Sequence, residues 1–393
     1  MVTKKTDIII VGGGICGLVL ALLLAQAGIQ MVLVDRKVGS KSLPKKTQFS
    51  AWVSALNRVS ERILQKLAVW DSCLDNQLAA SYMSMRLSAT AHDKKLQLDA
   101  DMVGADNLGH IVDNHYLKAL LWQKVHQEEN IKLIEATPEH WDKQERILTT
   151  SNKQTIHAPL LIGCDGNNSW VRAQANIPLT KHPINEQALV GICTHAIAHQ
   201  REARQCFFKD AILASLPLWN PYQSVLVYSI KNSTLPKEPE EFVQQAAAEA
   251  FLELQPQEVT EVSTHPVGSS HAQKYYHDHC ILLGDAAMAL HPLAGLGLNC
   301  GLQAAQILSN KIIAAFSAEK LDQVDNIGRA YENAVLGYNT FTQATLNTIH
   351  HQLVVGSTDR GGWLSCLAFG AAQNSTWIKK QMIHHALYGL EKA

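Results

Sequence analysis

A glycine turn near the amino terminus constrains this chain more than any other feature. Asp7 to Val11 is a short β-branched run, and Gly12-x-Gly14-x-x-Gly17 follows it at once. An apolar stretch from Ile15 to Ala27 comes next, then Gly28, then a second apolar run, Met31 to Val34, closed by Asp35 and Arg36. The spacing predicts a buried parallel strand, a helix that is apolar nearly all round and a second strand, which together make a βαβ unit. The glycines permit a tight turn and let backbone N–H groups and a helix N-terminus approach a pyrophosphate. An acid at the end of the second strand reaches a ribose hydroxyl. Strand, turn, helix and acid together point to dinucleotide binding, and the motif alone does not separate NAD from FAD. The uncharged stretch from Ile8 to Val34, preceded by Lys4 and Lys5, could pass for a membrane anchor. Its glycines argue for strand, turn and helix instead, and no transmembrane helix is expected elsewhere.

The 393 residues suffice for about two to three domains. With 47% hydrophobic and 18% charged residues, the chain is neither disordered nor fibrous. Its 34 basic and 35 acidic residues give no long-range pull on nucleic acid or anionic membranes. Eight cysteines, none in a C-x-x-C pair, read as small buried hydrophobes in a reducing compartment.

Further strands are expected at 160–163 and 280–283, and together with 8–11 and 31–34 they suggest a doubly wound sheet. Helices are expected over 54–67, 111–128, 236–255 and about 298–316, with a helical, tryptophan-bearing tail. Alternating segments at 81–104 and 186–231 read as antiparallel strands. They lie between the strands of the parallel sheet, so two interleaved domains are expected rather than two in tandem.

Two more motifs follow buried strands. Cys164-Asp165-Gly166-Asn167-Asn168-Ser169-x-Val171-Arg172 is a sharp turn that presents backbone and an acid. Gly284-Asp285-Ala286-Ala287 leads through His291-Pro292 to Gly295, Gly297 and Asn299. Its acid can reach a second ribose or ribityl chain, and its glycines offer N–H groups at a helix N-terminus.

The three motifs, in this order and spacing, resemble the class A FAD-dependent aromatic monooxygenases of the para-hydroxybenzoate hydroxylase fold. The stretches 53–71, 110–125, EQALVG, ARQCFF, SLPL and HAQKYY look like the ubiquinone-biosynthesis hydroxylases within that class. The resemblance implies an α/β protein with a Rossmann-like FAD-binding domain (1–75, 105–178 and 267–345) interleaved with a mixed β-sheet substrate domain (76–104 and 179–266). A C-terminal helical segment, 346–393, completes it. It implies FAD as cofactor and NADPH or NADH as co-substrate. The implied FAD set is Gly12, Gly14, Gly17, Asp35, Arg36, Asp165, Gly166, Gly284, Asp285, Pro292, Gly295, Gly297, Leu298 and Asn299. Asp285 is expected on the ribityl chain, with Pro292 and the backbone from Gly295 to Asn299 beside the flavin ring. The implied reaction hydroxylates a polyprenylated phenol with NAD(P)H and O2 through a flavin C4a-hydroperoxide. Leu216, Pro217 and Tyr228 are expected on the substrate face. No metal is needed, and no general base is named. The resemblance implies a small prenylated phenol or quinol as substrate. Contacts with a membrane surface, with other quinone-biosynthesis proteins or between copies of the chain are left open, in the cytoplasm or at the inner face of its membrane.

The sequence departs from the family pattern at several points. Trp52 stands where the family has Arg before VSAL, with Arg58 near it in another register. Met288 replaces the His of GDAAH, and Leu296 the Gln of PLAGQGLN. Ala211-Ile212, Ser269-Ser270 and Asn333-Ala334 also differ from the pattern. These replacements motivate an alternative, an FAD-binding accessory subunit that no longer hydroxylates. His277/His279 and His350/His351 read as surface residues, since no partner sits at ligand spacing. Trp363, Leu364, Leu367, Phe369, Trp377, Ile378, Met382, Ile383, Leu387 and Tyr388 are expected to pack the tail on the FAD domain, or else to touch a membrane or partner.

Overall fold

The computed structural model describes residues 3–44, 49–89, 94–291, 295–321, 323–350 and 375–389. A six-stranded sheet lies at its centre. In spatial order its strands are Tyr276–His277, Cys280–Leu282, Leu160–Gly163, Ile8–Val11, Met31–Asp35 and Ile131–Glu135. All neighbours pair in parallel except the edge strand Tyr276–His277. The inner strands are wholly buried, which is why they read as unbroken apolar runs.

Helix α1 (Ile15–Ala25) is buried along almost its whole length. It lies between the sheet, α4 (Asn114–Val125) and α7 (Leu296–Ser317), so no face needs polar residues. Two helices begin later than the sequence suggests. Val53–Leu56 is a strand, and α2 (Arg58–Lys66) starts only where Asn57 accepts a bond from Ser60 N at 3.0 Å. Gly109–Asp113 is likewise a strand, and Asp113 caps α4 by accepting from Tyr116 N at 3.0 Å. Both caps are side-chain acceptors placed before a helix, and each sets the boundary.

The second sheet has eight strands, in the order Met288–Ala289, Pro256–Ala272, Leu179–His195, Gln223–Lys231, Ala211–Pro217, Glu202–Phe208, Ser84–Ala89 and Lys94–Asp99. The pairing is antiparallel except between Glu202–Phe208 and Ser84–Ala89. The long strand Pro256–Ala272 pairs along Leu179–His195 to its end, so this sheet runs past the expected boundary at 266. One face of the sheet is covered by α6 (Pro239–Ala250). The strands from 131 to 157 and the strand from 256 to 272 were not anticipated. They are mostly exposed on one side and carry many charged or polar residues.

Helix α8 (Val324–His350) is long, and α9 (Thr376–Tyr388) ends the described chain. The α9 face of Ile383 and Leu387 packs on Leu96, Leu98 and Leu108, with the Arg62 guanidinium over the Tyr388 ring at 5.8 Å. The tail helix thus packs both on the segment after the 84–99 hairpin and, as expected, on helices of the FAD side, α2 and α8, where the Tyr338 and His385 ring centroids are 5.7 Å apart. Trp363, Leu364, Leu367 and Phe369 lie outside the described residues, and Trp377 is exposed. Among the described residues no helix is long and apolar enough to cross a membrane.

Candidate active site

The three sequence motifs meet at the carboxyl ends of three adjacent parallel strands. Gly12 N donates to Val34 O at 2.9 Å, Cys164 N to Val11 O at 2.7 Å, and Leu283 N to Gly163 O at 2.9 Å. The strand ends are therefore locked side by side, where open α/β sheets bind their ligands. Gly12 has φ +109°, and a Cβ there would lie 2.3 Å from Cys164 O. A Cβ on Gly17 would lie 2.2 Å from Gly12 O. These two glycines are required by close approach of backbone to backbone. Gly14 is the N-cap of α1 and has open space beside it.

Arg172 joins the second motif to the third. Its guanidinium donates to Ala286 O at 2.9 Å and to Asn167 O at 2.7 Å. Asp165 accepts from Trp170 N and Val171 N through Oδ2, which fixes the turn. Its other oxygen, Oδ1, is buried without a hydrogen-bond partner. Asn299 is committed inside the protein. It accepts from Asn57 N at 2.9 Å and Ser60 Oγ at 2.7 Å, and donates to Ala55 O at 2.7 Å and Gly295 O at 3.2 Å. It anchors the start of α7 rather than facing a ligand.

A cavity of about 500 Å³ opens between the two sheets. Of the expected cofactor residues, Gly14, Gly166, Gly284, Asp285, Gly295, Gly297 and Leu298 line it, whereas Gly12, Gly17, Asp165 and Asn299 support its wall. Asp35 does not line it either; its carboxylate accepts from Gly13 N at 2.5 Å and Lys37 N at 2.8 Å, bracing the glycine turn. Arg36 is exposed away from the cavity. Pro292 lies outside the described residues.

Two helices, α1 and α7, start at this cavity with glycine N-caps, Gly14 and Gly295, and no side chain caps either. Their first N–H groups are open to an anion or an electron-rich ring edge. Asp285 has no hydrogen-bond partner among the described residues. Its carboxylate opens to the cavity but is walled by protein elsewhere, and this desolvation raises its pKa. The thiols nearby are inert: burial first, then the Asp285 charge, pushes Cys16 up to about 12, and burial holds Cys164 well above the usual range. A glycine cradle, two uncapped helix starts, an unpartnered buried oxygen on Asp165 and a free carboxylate fit a dinucleotide with a ribityl arm.

The opposite wall is one face of the eight-stranded sheet. Ala203 and Gln205, Ile212, Ala214 and Leu216, and Val227 and Ser229 alternate into the cavity. Alternation overturns two of the three expected substrate residues. Leu216 faces the cavity, but Pro217 is next in the strand and does not line it. Tyr228 points to the other face, with ring centroids 5.6 Å from Phe242 and 6.2 Å from Phe208, in the core under α6. Gln205, buried in this wall, makes no side-chain hydrogen bond among the described residues.

The third side carries Trp52, Val53, Ser54, Ala55, Ile111, Asn114 and Lys118. Trp52 is 46% exposed and meets His115 edge-on at 4.7 Å. Lys118 brings a fixed positive charge to the cavity among its described lining residues, and the sequence reading missed it. A lone lysine in a helix carries no local signal. Arg58 pairs with Glu61 at 3.1 Å and is not in the cavity wall. Met288 is buried, and Leu296 packs on the core; neither lines the cavity.

His350 is not a surface residue. It stands with His291 beside Glu186, whose carboxylate lies 3.2 Å from His291 Nε2 and 2.9 Å from His350 Nε2. Burial alone would raise the Glu186 pKa, but the two imidazoles outweigh it and hold the pKa at about 2. His351 lies outside the described residues, and His277 is half-exposed with Nδ1 bonded to Ala175 O at 2.9 Å.

Comparison with known proteins bears on this geometry. The FAD binding domain family matches residues 5–336. The chain is 29% identical over 413 aligned positions to the 3-demethoxyubiquinol 3-hydroxylase of Escherichia coli, covering 98% of this chain and all of that one. It is 26% identical to the ubiquinone hydroxylase UbiM of Neisseria meningitidis, covering 79% of this chain and 69% of the relative. Among solved structures, the p-nitrophenol 4-monooxygenase PnpA of Pseudomonas putida superposes with a TM-score of 0.77 at 17% identity, over 99% of this chain and all of that one.

Proposed function

The chain belongs to the FAD binding domain family, and from that membership we propose that it is an FAD-dependent monooxygenase hydroxylating the ring of a polyprenylated phenol in ubiquinone biosynthesis. The observation that carries this reading is the two-sided cavity. One wall is a dinucleotide cradle with two open helix starts, and the other is an apolar sheet face with isolated polar groups. The chemistry that FAD supplies when bound is acceptance of a hydride from NADH or NADPH and activation of O2 for transfer of one oxygen atom to an electron-rich ring.

The residues divide the remaining work. Gly12 and Gly17 let the chain pass close enough to form the cradle. The N–H groups at the start of α1 receive the pyrophosphate, and Asp285 accepts from ribityl hydroxyls. The start of α7 at Gly295 would offer its open N–H groups to an electron-rich edge of the bound flavin ring. Lys118 supplies the positive charge that Trp52 cannot. Ile212, Ala214, Leu216 and Val227 hold the phenol ring by apolar contact and exclude water. Gln205 and Ser229 are the polar groups on that wall able to orient a phenol oxygen. Met288 and Leu296, which depart from the family pattern, are not among the described residues that line the cavity.

The proposal is tested by supplying the purified protein with a short-chain prenylphenol, NADPH or NADH, and isotopically labelled O2. The expected product carries one labelled oxygen on the ring. Consumption of reductant with hydrogen peroxide and no ring product contradicts the assignment.

A further inference from the structure

Glu186, His291 and His350 reach one point from three distant parts of the chain. Glu186 belongs to the strand Leu179–His195, His291 follows the strand Met288–Ala289, and His350 is the last residue of α8. The carboxylate sits between the imidazoles, one oxygen toward each. Oε2 is 3.2 Å from His291 Nε2, and Oε1 is 2.9 Å from His350 Nε2. The two ring centroids are 4.7 Å apart, and the three donor atoms lie within 4.8 Å of one another. The side chains of Glu186, His291 and His350 are only 7%, 2% and 12% exposed.

The alignment of His350 is informative. Its Nε2 is buried and close to Oε1, yet it has no hydrogen-bond partner in line. The three donor atoms are buried and lie within 4.8 Å of one another. In a tetrahedral site with bonds of about 2.0–2.1 Å, donors stand roughly 3.3 Å apart. The two nitrogen–oxygen separations, each to a different carboxylate oxygen and the His291 one a hydrogen bond, are close to that edge.

We propose that Glu186, His291 and His350 form a binding site for a divalent transition-metal ion of the zinc class. Two imidazoles and one carboxylate are a borderline donor set, suited to Zn2+ and poorly suited to Mg2+ or Ca2+, which take mainly oxygen. One fixed negative charge, on Glu186, balances half of the ion's charge. His291 also lines the main cavity, so the remaining position is completed from that side by water. The ion ties the end of α8 and the loop after Ala289 to the eight-stranded sheet. This site does not depend on the hydroxylation reading, and its test reads metal rather than turnover.

The test uses the FAD-loaded protein after treatment with a chelator. Zn2+ is titrated into wild type, Glu186→Gln and His350→Ala by calorimetry, with flavin content and far-ultraviolet circular dichroism recorded for each. Wild type is expected to take one equivalent and to melt at a higher temperature with Zn2+. Either variant is expected to bind about 100-fold more weakly or less and to lose the thermal shift. Absence of a saturable equivalent in wild type, or wild-type affinity in both variants, overturns the site. Should a variant fail to fold, X-ray absorption at the zinc edge of the wild type decides. Two imidazoles with oxygen ligands support the site, and sulfur or a purely aqueous shell overturns it.

Discussion

The backbone of Gly12 passes so close to Cys164 that a Cβ on Gly12 would lie 2.3 Å from the Cys164 carbonyl oxygen. This contact ties the first motif to the second and sets the floor of the cavity. Gly12 also holds φ +109°, so replacement adds backbone strain to the clash. Gly12→Ala is expected to cost about 2 kcal/mol or more and to empty the protein of flavin. Flavin content per chain and the melting temperature measure it. A variant with full flavin and unchanged stability contradicts the placement.

Lys118 and Trp52 share one side of the cavity, so charge there is adjustable. Lys118→Met is expected to weaken FAD binding about five- to tenfold, worth about 1 kcal/mol, with a smaller salt dependence than wild type. Trp52→Arg is expected to shift affinity in the opposite direction. Fluorescence titration of the flavin-stripped protein with FAD reads both. No change in either variant removes Lys118 from the binding machinery.

Alternation along the sheet separates Leu216 from Tyr228. Leu216→Trp should fill cavity space, raising KM for a prenylphenol severalfold while flavin content holds. Tyr228→Phe, on the far face under α6, should leave KM and turnover unchanged. Gln205→Leu should lower turnover with the melting temperature preserved. Steady-state kinetics beside thermal melts distinguish these outcomes, and a Tyr228→Phe variant with a raised KM contradicts the assigned faces.

His199 gives the second domain a pH dependence. Burial pushes its pKa down to about 4, against smaller opposing contacts from the Leu218 and Asn220 carbonyls. Nε2 faces those carbonyls at 3.0 and 3.2 Å, while Nδ1 accepts from Arg201 N at 3.0 Å. Protonation of Nδ1 breaks that last bond. A histidine with a depressed folded pKa leaves the unfolded chain binding more protons, so stability rises with pH across the window. Its contribution is full above the unfolded value of about 6.5 and is lost as pH falls toward about 4. The unfolding free energy from urea titrations should fall over that range by about 2 kcal/mol more in wild type than in His199→Gln. Parallel pH profiles in the two proteins contradict this role.

The sequence displays the cradle because glycines, acids and buried strands follow local rules. Gly14, Gly166, Gly284, Asp285, Gly295, Gly297 and Leu298 all line one cavity. The finer roles escaped it for physical reasons. Asn299 looks like a ligand residue but is consumed by Asn57, Ser60, Ala55 and Gly295, partners far away in the chain. Tyr228 belongs to a strand with apolar residues on both faces, so period alone could not say which face meets the cavity. Lys118 and the Glu186–His291–His350 cluster depend on tertiary contacts between segments that share no spacing. The helix starts at Arg58 and Asn114 were misplaced because the strands before them are apolar enough to extend a helical pattern.

The central claim is that the cradle and the sheet face serve one reaction. It is tested most directly by anaerobic reduction of the purified flavoprotein. NADPH or NADH is added with and without a short-chain prenylphenol while the visible spectrum is followed. The account predicts a bound flavin that bleaches, and bleaches faster when the phenol occupies the wall of Ile212, Ala214 and Leu216. A bound flavin that neither reductant bleaches, with or without the phenol, contradicts it.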